Sequence, residues 1–355
     1  MNSNQAIIVN ATALDFSGAL GILRQFIDNI PQEKEYQWLI FISDKVSLTS
    51  NHPNIILKPI GNVKSLIYRF LWDTIGVKRW LKNNGIIPIA TISLQNTGFN
   101  CGFDVPNFIY YHQSIPLINF RWSIMNKEHR SLWFYKNIYP VFIKLFLRQS
   151  TVIFVQLNYI KELFHKKFKV KLDNIHVISP SVHIPNTTSI DPIILPEKYI
   201  NLFYPATPVF YKNYTLLIDA VTELHHLAKL YITFDLNHIK NKSNINCIGR
   251  LKYEEVMAMY QSCDALVFPS YIETYGLPLI EAASLGVPII AADLPYAREV
   301  LEGYDGAIFV PYNDTDRWKD AISALKKGER FTPLQINNRH SWGKLFSIIE
   351  ENINK

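Results

Sequence analysis

Short apolar runs alternate with amphipathic stretches from one end of the chain to the other. In the first half, residues 6–10, 38–42, 55–58, 89–93, 108–111, 151–155 and 176–178 have the length and the β-branched content of buried strands. In the second half, residues 200–204, 231–235, 245–248, 265–268, 289–292 and 307–310 read the same way. Between these lie stretches with helical periodicity, among them 216–227, 253–262 and 316–326. Strand–helix alternation predicts an α/β protein built of βαβ units, with parallel sheets covered by helices on both faces. Residues 179–197 are dense in Pro, Ser, Thr and Asn, which predicts a linker. Each side of it has strands enough for its own doubly wound sheet. Two such domains facing across a cleft offer a ligand site between them and at the carboxyl ends of strands.

Composition narrows this picture. A length of 355 residues suits about two domains. A hydrophobic fraction of 48% with 19% charged residues excludes disordered, collagen-like and coiled-coil classes. Cys101, Cys247 and Cys263 are far apart and form no CxxC, which excludes a disulfide scaffold and a zinc ribbon and fits a reducing compartment. The first residues lack a basic start followed by a long apolar core, and no apolar run approaches the ~18 residues of a membrane span. The expectation is a cytoplasmic protein, soluble or peripheral. The net charge of +6 is uneven: residues 1–190 carry +10 and residues 191–355 carry −4. A basic half suits nucleic acid, anionic lipid or a phosphorylated substrate, and equally a solvated surface.

The most informative stretch is 265–292, ALVFPSYIETYGLPLIEAASLGVPIIAA. A short strand is followed by a loop to Gly276, then a helix with Pro278 as its first residue, ended by Gly286 and Pro288. Glu273 falls in the loop at the carboxyl end of the strand, and Glu281 near the first turn of the helix. The N–H groups around Gly276 and Leu277 point out of the helix start, which attracts a phosphate. Carboxylates accept hydrogen bonds from vicinal hydroxyls. A ribose, a diphosphate and a hexose use all three features together, and a nucleotide sugar contains all of them. Taken singly, Glu281 reads better as a dipole-stabilising helix residue and Glu273 as a solvated loop charge; their combination with the strand, Gly-Leu-Pro and the helix reverses that.

This stretch, and more weakly the rest of the chain, resembles the donor-site signature of retaining glycosyltransferases of family 4, also called group 1. The resemblance implies the GT-B fold of two Rossmann-like domains. It implies domains at 1–182 and 183–338, the first on the acceptor side and the second binding the donor. Ser341-Trp342 resembles the start of the family's closing helix, so 339–355 is expected to pack back on the first domain. Glu273 would then bind donor-sugar hydroxyls and Glu281 the ribose, with the amides of Tyr275, Gly276 and Leu277 on the sugar and diphosphate. Thr274 stands where many relatives carry Gly. Lys212, before a helix start, resembles the lysine that neutralises the donor diphosphate, although the Arg common upstream is missing near Ala206-Thr207. Gly249 and Arg250 fall in a loop that contacts the nucleobase in relatives; Arg250 is equally a surface charge.

In the first half, Gly18 lies at a helix start that resembles the family's glycine loop. It is not GxGxxG, and no GxxxxGK[ST] occurs, so neither a nicotinamide dehydrogenase nor a Walker ATPase is indicated. His112 directly follows a strand, where a cleft residue of relatives would stand, and Gln95-Asn96 follows another; a lone His is also often structural. Asp314-Thr315-Asp316 matches a metal-binding DxD but stands where helix caps stand, so no metal and no cofactor is expected. The resemblance implies transfer from a UDP-, GDP- or dTDP-sugar to a glycan or polyprenyl-pyrophosphate-linked acceptor, in bacterial lipopolysaccharide O-antigen or capsule synthesis. Residues 165–171 (HKKFKVK) and 142–148 (FIKLFLR) suit contact with an anionic bilayer at the cytoplasmic face of the inner membrane; the second is equally a core-facing helix. Nucleic-acid motifs are absent. A non-catalytic nucleotide-sugar or glycan-binding protein, or another enzyme of the same architecture, remains the alternative.

Overall fold

Two parallel sheets form, and the apolar runs supply their strands. The structure is a computed structural model and describes residues 5–15, 17–32, 36–61, 65–182, 193–236, 243–336 and 342–354. The first sheet holds β1 (Gln5–Ala11), β2 (Gln37–Ser43), β3 (Ile55–Ile60), β4 (Ile87–Ser93), β5 (Asn107–Tyr111), β6 (Val152–Val155) and β7 (Ile175–Val177). The second holds β8 (Ile200–Tyr204), β9 (Ala228–Ile232), β10 (Ile245–Cys247), β11 (Ala265–Phe268), β12 (Ile289–Ala292) and β13 (Ala307–Val310). Their orders are β3-β2-β1-β4-β5-β6-β7 and β10-β9-β8-β11-β12-β13. Every pairing is parallel. Strands such as β5, β8 and β11 are buried along their whole length, as helices on both faces of a sheet require. Each sheet therefore reverses its strand order once, between β1 and β4 and between β8 and β11. Ligands of open α/β sheets bind at such reversals, beyond the carboxyl ends of the strands.

The chain divides into two units, Met1–Ser181 with Arg339–Lys355, and Val182–Asn338. Most of the linker stretch, 183–192, lies outside the described residues, as does Ser341. The helix Trp342–Ile353 packs into the core of the first unit. Trp342 stacks on Tyr110 with ring centroids 5.4 Å apart, and Phe346 meets Phe26 at 5.3 Å and Trp38 at 5.6 Å. Trp342 Nε1 also donates to Gln25 Oε1 at 3.2 Å.

Several boundaries differ from the sequence expectation; the helix expected over 316–326, for one, is Thr315–Ser323. The strand expected at 231–235 runs instead over Ala228–Ile232. Beyond Ile232 the chain is held sideways: Thr233 Oγ1 accepts from Ala206 N and donates to Ala206 O, both at 2.9 Å. The helix expected over 216–227 is Tyr214–Glu223, because the backbone turns at Leu224 to enter β9. Deleting the Trp342 ring, 2% exposed, leaves a cavity between Phe26 and Tyr110. Trp342→Ala should cost about 3–5 kcal/mol in denaturant unfolding of the first unit.

Candidate functional site

At the reversal of the second sheet, two loops leave the carboxyl ends of β8 and β11 and are tied together. Tyr271 N donates to Tyr211 O at 3.0 Å. Asn213 adopts the left-handed conformation, φ 54°, which Asn tolerates. Its Nδ2 reaches Tyr312 O at 2.7 Å and Pro269 O at 3.3 Å. From below, Tyr204 donates to Lys212 O at 2.5 Å and Tyr296 to Ser270 O at 2.6 Å. Burial, then the charge of Glu273, pushes both phenols well up, so they remain neutral donors. These braces bring Lys212 Nζ to 2.5 Å from Glu273 Oε1, with the side chains 17% and 14% exposed. The ammonium also sits 5.6 Å from the centroid of the Phe268 ring, a favourable place for a cation.

The loop of Glu273 runs directly into the helix Leu277–Ser284. Gly276 caps it at φ 91°, a conformation glycine adopts without strain. Pro278 is the second helical residue rather than the first. The helix's own bonding opens with Leu279 N donating to Gly276 O at 2.9 Å, so the N–H groups of Gly276 and Leu277 lie outside that ladder. Tyr275 is buried, 5% exposed.

Glu281 differs from its sequence expectation. It lies in the second turn, 8% exposed, and its Oε2 accepts from Tyr260 at 3.1 Å. Tyr253, 39% exposed, is a second phenol donor to the same carboxylate. Burial pushes the Glu281 carboxyl up to about 7 against the pull of the two phenols. Glu273 and Glu281 thus have separate partners, Lys212 for one and a tyrosine pair for the other. The Gly249 loop leads to that pair: Gly249 (φ 73°) lies two residues beyond β10, and Tyr253 is the first residue of the helix Tyr253–Ser262. Arg250 is exposed and makes no ion pair or hydrogen bond among the described residues.

In the first unit, His112 follows β5 as expected. Its Nε2 is 2.8 Å from Leu94 O, which makes Nε2 the protonated nitrogen and leaves Nδ1 as the acceptor side of the neutral ring. Its backbone N donates to Asn96 Oδ1 at 2.6 Å. Burial holds the imidazole below its ordinary value; the Leu94 bond opposes this and Arg69 adds to it. Gly18 lies in the first turn of the helix Ser17–Asp28, exposed, with open space where a Cβ would stand, so its surroundings do not demand glycine. Asp314 caps the helix Thr315–Ser323 by accepting from Arg317 N at 3.1 Å, and Asp316 pairs with Lys319 at 2.7 Å. Asp314 therefore takes the cap place of the DxD motif.

Sequence reasoning missed Tyr253, Tyr260 and Asn213. Their signal was present only as an aromatic at the start of a helix after a glycine loop, and as Asn beside Lys212. It also missed Arg69 and Asp73, which no motif marks.

Solved structures show the fold, the two Rossmann-like domains of GT-B glycosyltransferases. A sucrose-phosphate synthase from Thermosynechococcus elongatus matches with a TM-score of 0.66 and 15% identity, over 90% of this chain and 89% of that one. WaaG, described as a glycosyltransferase involved in lipopolysaccharide biosynthesis, matches with a TM-score of 0.63 and 14% identity, over 98% and 99%. Residues 186–344, which hold Lys212, Glu273 and Glu281, match the model of the glycosyl transferases group 1. An O-antigen chain mannosyltransferase, RfbU of Salmonella typhimurium, is 29% identical over 132 residues, 37% of this chain. The match spans 36% of the length of that relative.

The buried carboxyl of Glu281 makes a stability prediction. Its folded value of about 7 lies above the ordinary 4.5, so the folded chain holds more protons than the unfolded chain between these values. Stability falls as pH rises through that window and levels off above it. Glu281→Gln keeps the shape and removes the titration. Relative to the unsubstituted chain, it should gain up to ~3 kcal/mol between about pH 4 and pH 8 in urea unfolding.

Proposed function

We propose that the chain is a retaining glycosyltransferase that moves a sugar from a nucleoside-diphosphate sugar to a hydroxyl of a glycan or polyprenyl-pyrophosphate-linked acceptor. The observation that carries the reading is the Lys212–Glu273 pair at the reversal of the second sheet, in a loop that runs into an amide-rich helix start. An ammonium has three N–H donors, and Glu273 Oε1 engages one direction only. The remaining donors suit the phosphate oxygens, and the N–H groups of Gly276 and Leu277 add partial positive charge. Glu273 is then an acceptor for donor-sugar hydroxyls. Glu281 serves the ribose, with Tyr253 as the gate residue between it and solvent. Gly249 and Arg250 flank the nucleobase.

In the reaction, the bond from the anomeric carbon to the phosphate oxygen breaks, and the acceptor oxygen bonds to the same face of that carbon. The acceptor proton passes to the departing diphosphate, so no side chain needs to act as a covalent nucleophile. Charge grows on the diphosphate as the bond breaks, and Lys212 and the helix-end amides stabilise it where it grows. The reading needs no metal. Similarity to an O-antigen chain mannosyltransferase supports a role in bacterial surface polysaccharide synthesis, for which the cytoplasmic face of the inner membrane is the proposed place.

Among the described residues no helix is long and apolar enough to cross a membrane. Peripheral contact is supported by the helix Tyr139–Leu145, where Val141 and Leu145 are 63% and 57% exposed while Ile143 is in the core. The last turn of the helix Asn158–Phe168 adds Lys166 and Lys167.

Donor turnover tests the proposal. With UDP-, GDP- and dTDP-sugars, Lys212→Ala should lower kcat by about 10²–10³ while changing donor selectivity little. A chain that binds donors but neither transfers nor hydrolyses them is a binding protein, and the proposal fails. Activity should survive removal of divalent cations by EDTA. Nucleotide affinity should rise with pH through about 7, as Glu281 ionises and becomes the better acceptor for ribose hydroxyls, and Glu281→Gln should abolish that dependence in calorimetric titrations.

A further inference from the structure

Three aromatic rings stand together beyond the carboxyl ends of the second sheet, and none of the three side chains has a part in the donor site proposed above. Phe210 lies in the short turn Phe210–Lys212 after β8, Tyr271 in the loop after β11 and Tyr312 in the loop after β13. Phe210 and Tyr271 meet edge to face with ring centroids 6.2 Å apart, and Tyr271 and Tyr312 lie 5.5 Å apart. A single exposed apolar side chain needs no explanation. Here three strand ends contribute one ring each to the same place, and Phe210 remains 51% exposed.

The strip is held from behind through its backbone. Tyr271 N donates to Tyr211 O at 3.0 Å, and Asn213 Nδ2 donates to Tyr312 O at 2.7 Å. Asn213 N donates to Phe210 O at 3.1 Å, which closes the turn that carries the first ring. Trp318, fully buried, holds the last loop by donating from Nε1 to Pro311 O at 2.9 Å. Rings placed in advance do not have to be ordered by their ligand.

The chemistry of the strip selects what it accepts. To an anion the rings offer π faces, which carry partial negative charge. A cation is disfavoured by Lys212, which shares the turn of Phe210. Burial, then Tyr312, pushes the Tyr271 phenol up, so its hydroxyl stays neutral, a donor and an acceptor at once. Apolar faces edged with neutral hydroxyls suit a ring that is apolar on its C–H face and hydroxylated at its rim, which is a sugar.

A nucleobase also has a flat face, but the strand order separates it from the strip. The Gly249 loop follows β10 and Tyr312 follows β13, at opposite edges of the sheet, with the loops of Lys212 and Glu273 after β8 and β11 between them. A donor with its base at Gly249, its diphosphate at Lys212 and its sugar at Glu273 ends before the far ring of the strip. What lies beyond is the acceptor. A glycan continues into solvent past the hydroxyl that reacts, which suits the outward exposure of Phe210.

We infer that Phe210, Tyr271 and Tyr312 form a stacking subsite for one neutral ring of the acceptor glycan. The assignment to the acceptor rests on the transferase reading above; that the strip stacks a neutral sugar does not.

Saturation-transfer NMR on the full chain tests it, with irradiation of the aromatic protons and methyl glycosides of glucose, galactose, mannose and N-acetylglucosamine as probes. At least one glycoside should bind, with saturation concentrated on the C–H groups of one ring face. Phe210→Ala should weaken it about three- to tenfold, the worth of one aromatic contact, and Phe210→Trp should keep it. Both variants should unfold in urea at the midpoint of the unsubstituted chain, as a half-exposed ring allows. The inference is overturned if no glycoside binds, if Phe210→Ala leaves binding unchanged, or if uridine or guanosine displaces the glycoside, which makes the strip a base site. Displacement by a UDP-, GDP- or dTDP-sugar but not by the matching nucleoside diphosphate gives the strip to the donor's own sugar and overturns the assignment to the acceptor. Glycoside binding that depends on Phe210 in a chain that binds no nucleotide sinks the donor reading and leaves the stacking subsite standing.

Discussion

The ion pair between Lys212 and Glu273 joins two loops that leave different strands, and the second unit's site is arranged around it. Both side chains are largely withdrawn from water. A charge in that position is costly alone and tolerable only with its opposite at hand. The tyrosines beneath and Asn213 beside it hold the two backbones at the separation the pair requires. On the proposed reading, a diphosphate entering here would meet not a bare cation but an ammonium already oriented, whose partner carboxylate could turn to hydroxyls as the phosphates arrive. Orientation settled before binding is what allows electrostatic stabilisation to act late in a reaction, when charge moves.

The fold was readable in the sequence because parallel strands buried on both faces are nearly continuous apolar runs. All the runs named from the sequence became strands, with β9 displaced toward its N-terminus. That displacement came from a side chain, Thr233, bonding across to Ala206, which no periodicity encodes. The site was readable where local chemistry was dense: Glu273, Gly276 and Lys212 stand beside glycines, prolines and strand ends that announce a turn into a helix. It was less readable where the environment comes from distant residues. Glu281 looks on paper like an open carboxylate at a helix start. Burial against Tyr253 and Tyr260, a helix away, makes it a group that titrates near neutrality. Asp73 carried no motif, because its partners Asn10 and Gln95 are 63 and 22 residues distant.

The two sheets use one topology for different chemistry. At the reversal between β8 and β11, a cation and unused backbone donors gather, an arrangement for anions. At the reversal between β1 and β4, amides, hydroxyls and charges of both signs gather. Topology supplies a place beyond the strand ends in both; the residues in the loops decide what each place accepts.

The return of the chain to its starting unit carries a consequence for biosynthesis. Part of the core around Phe26 and Trp38 is supplied by Trp342 and Phe346, which are made only after the whole second unit. The second unit is contiguous and can close as soon as it emerges. The first lacks that part of its core until Trp342–Ile353 has been made. A premature stop shortly before Trp342 would therefore injure the unit that was begun first, far upstream of the lesion.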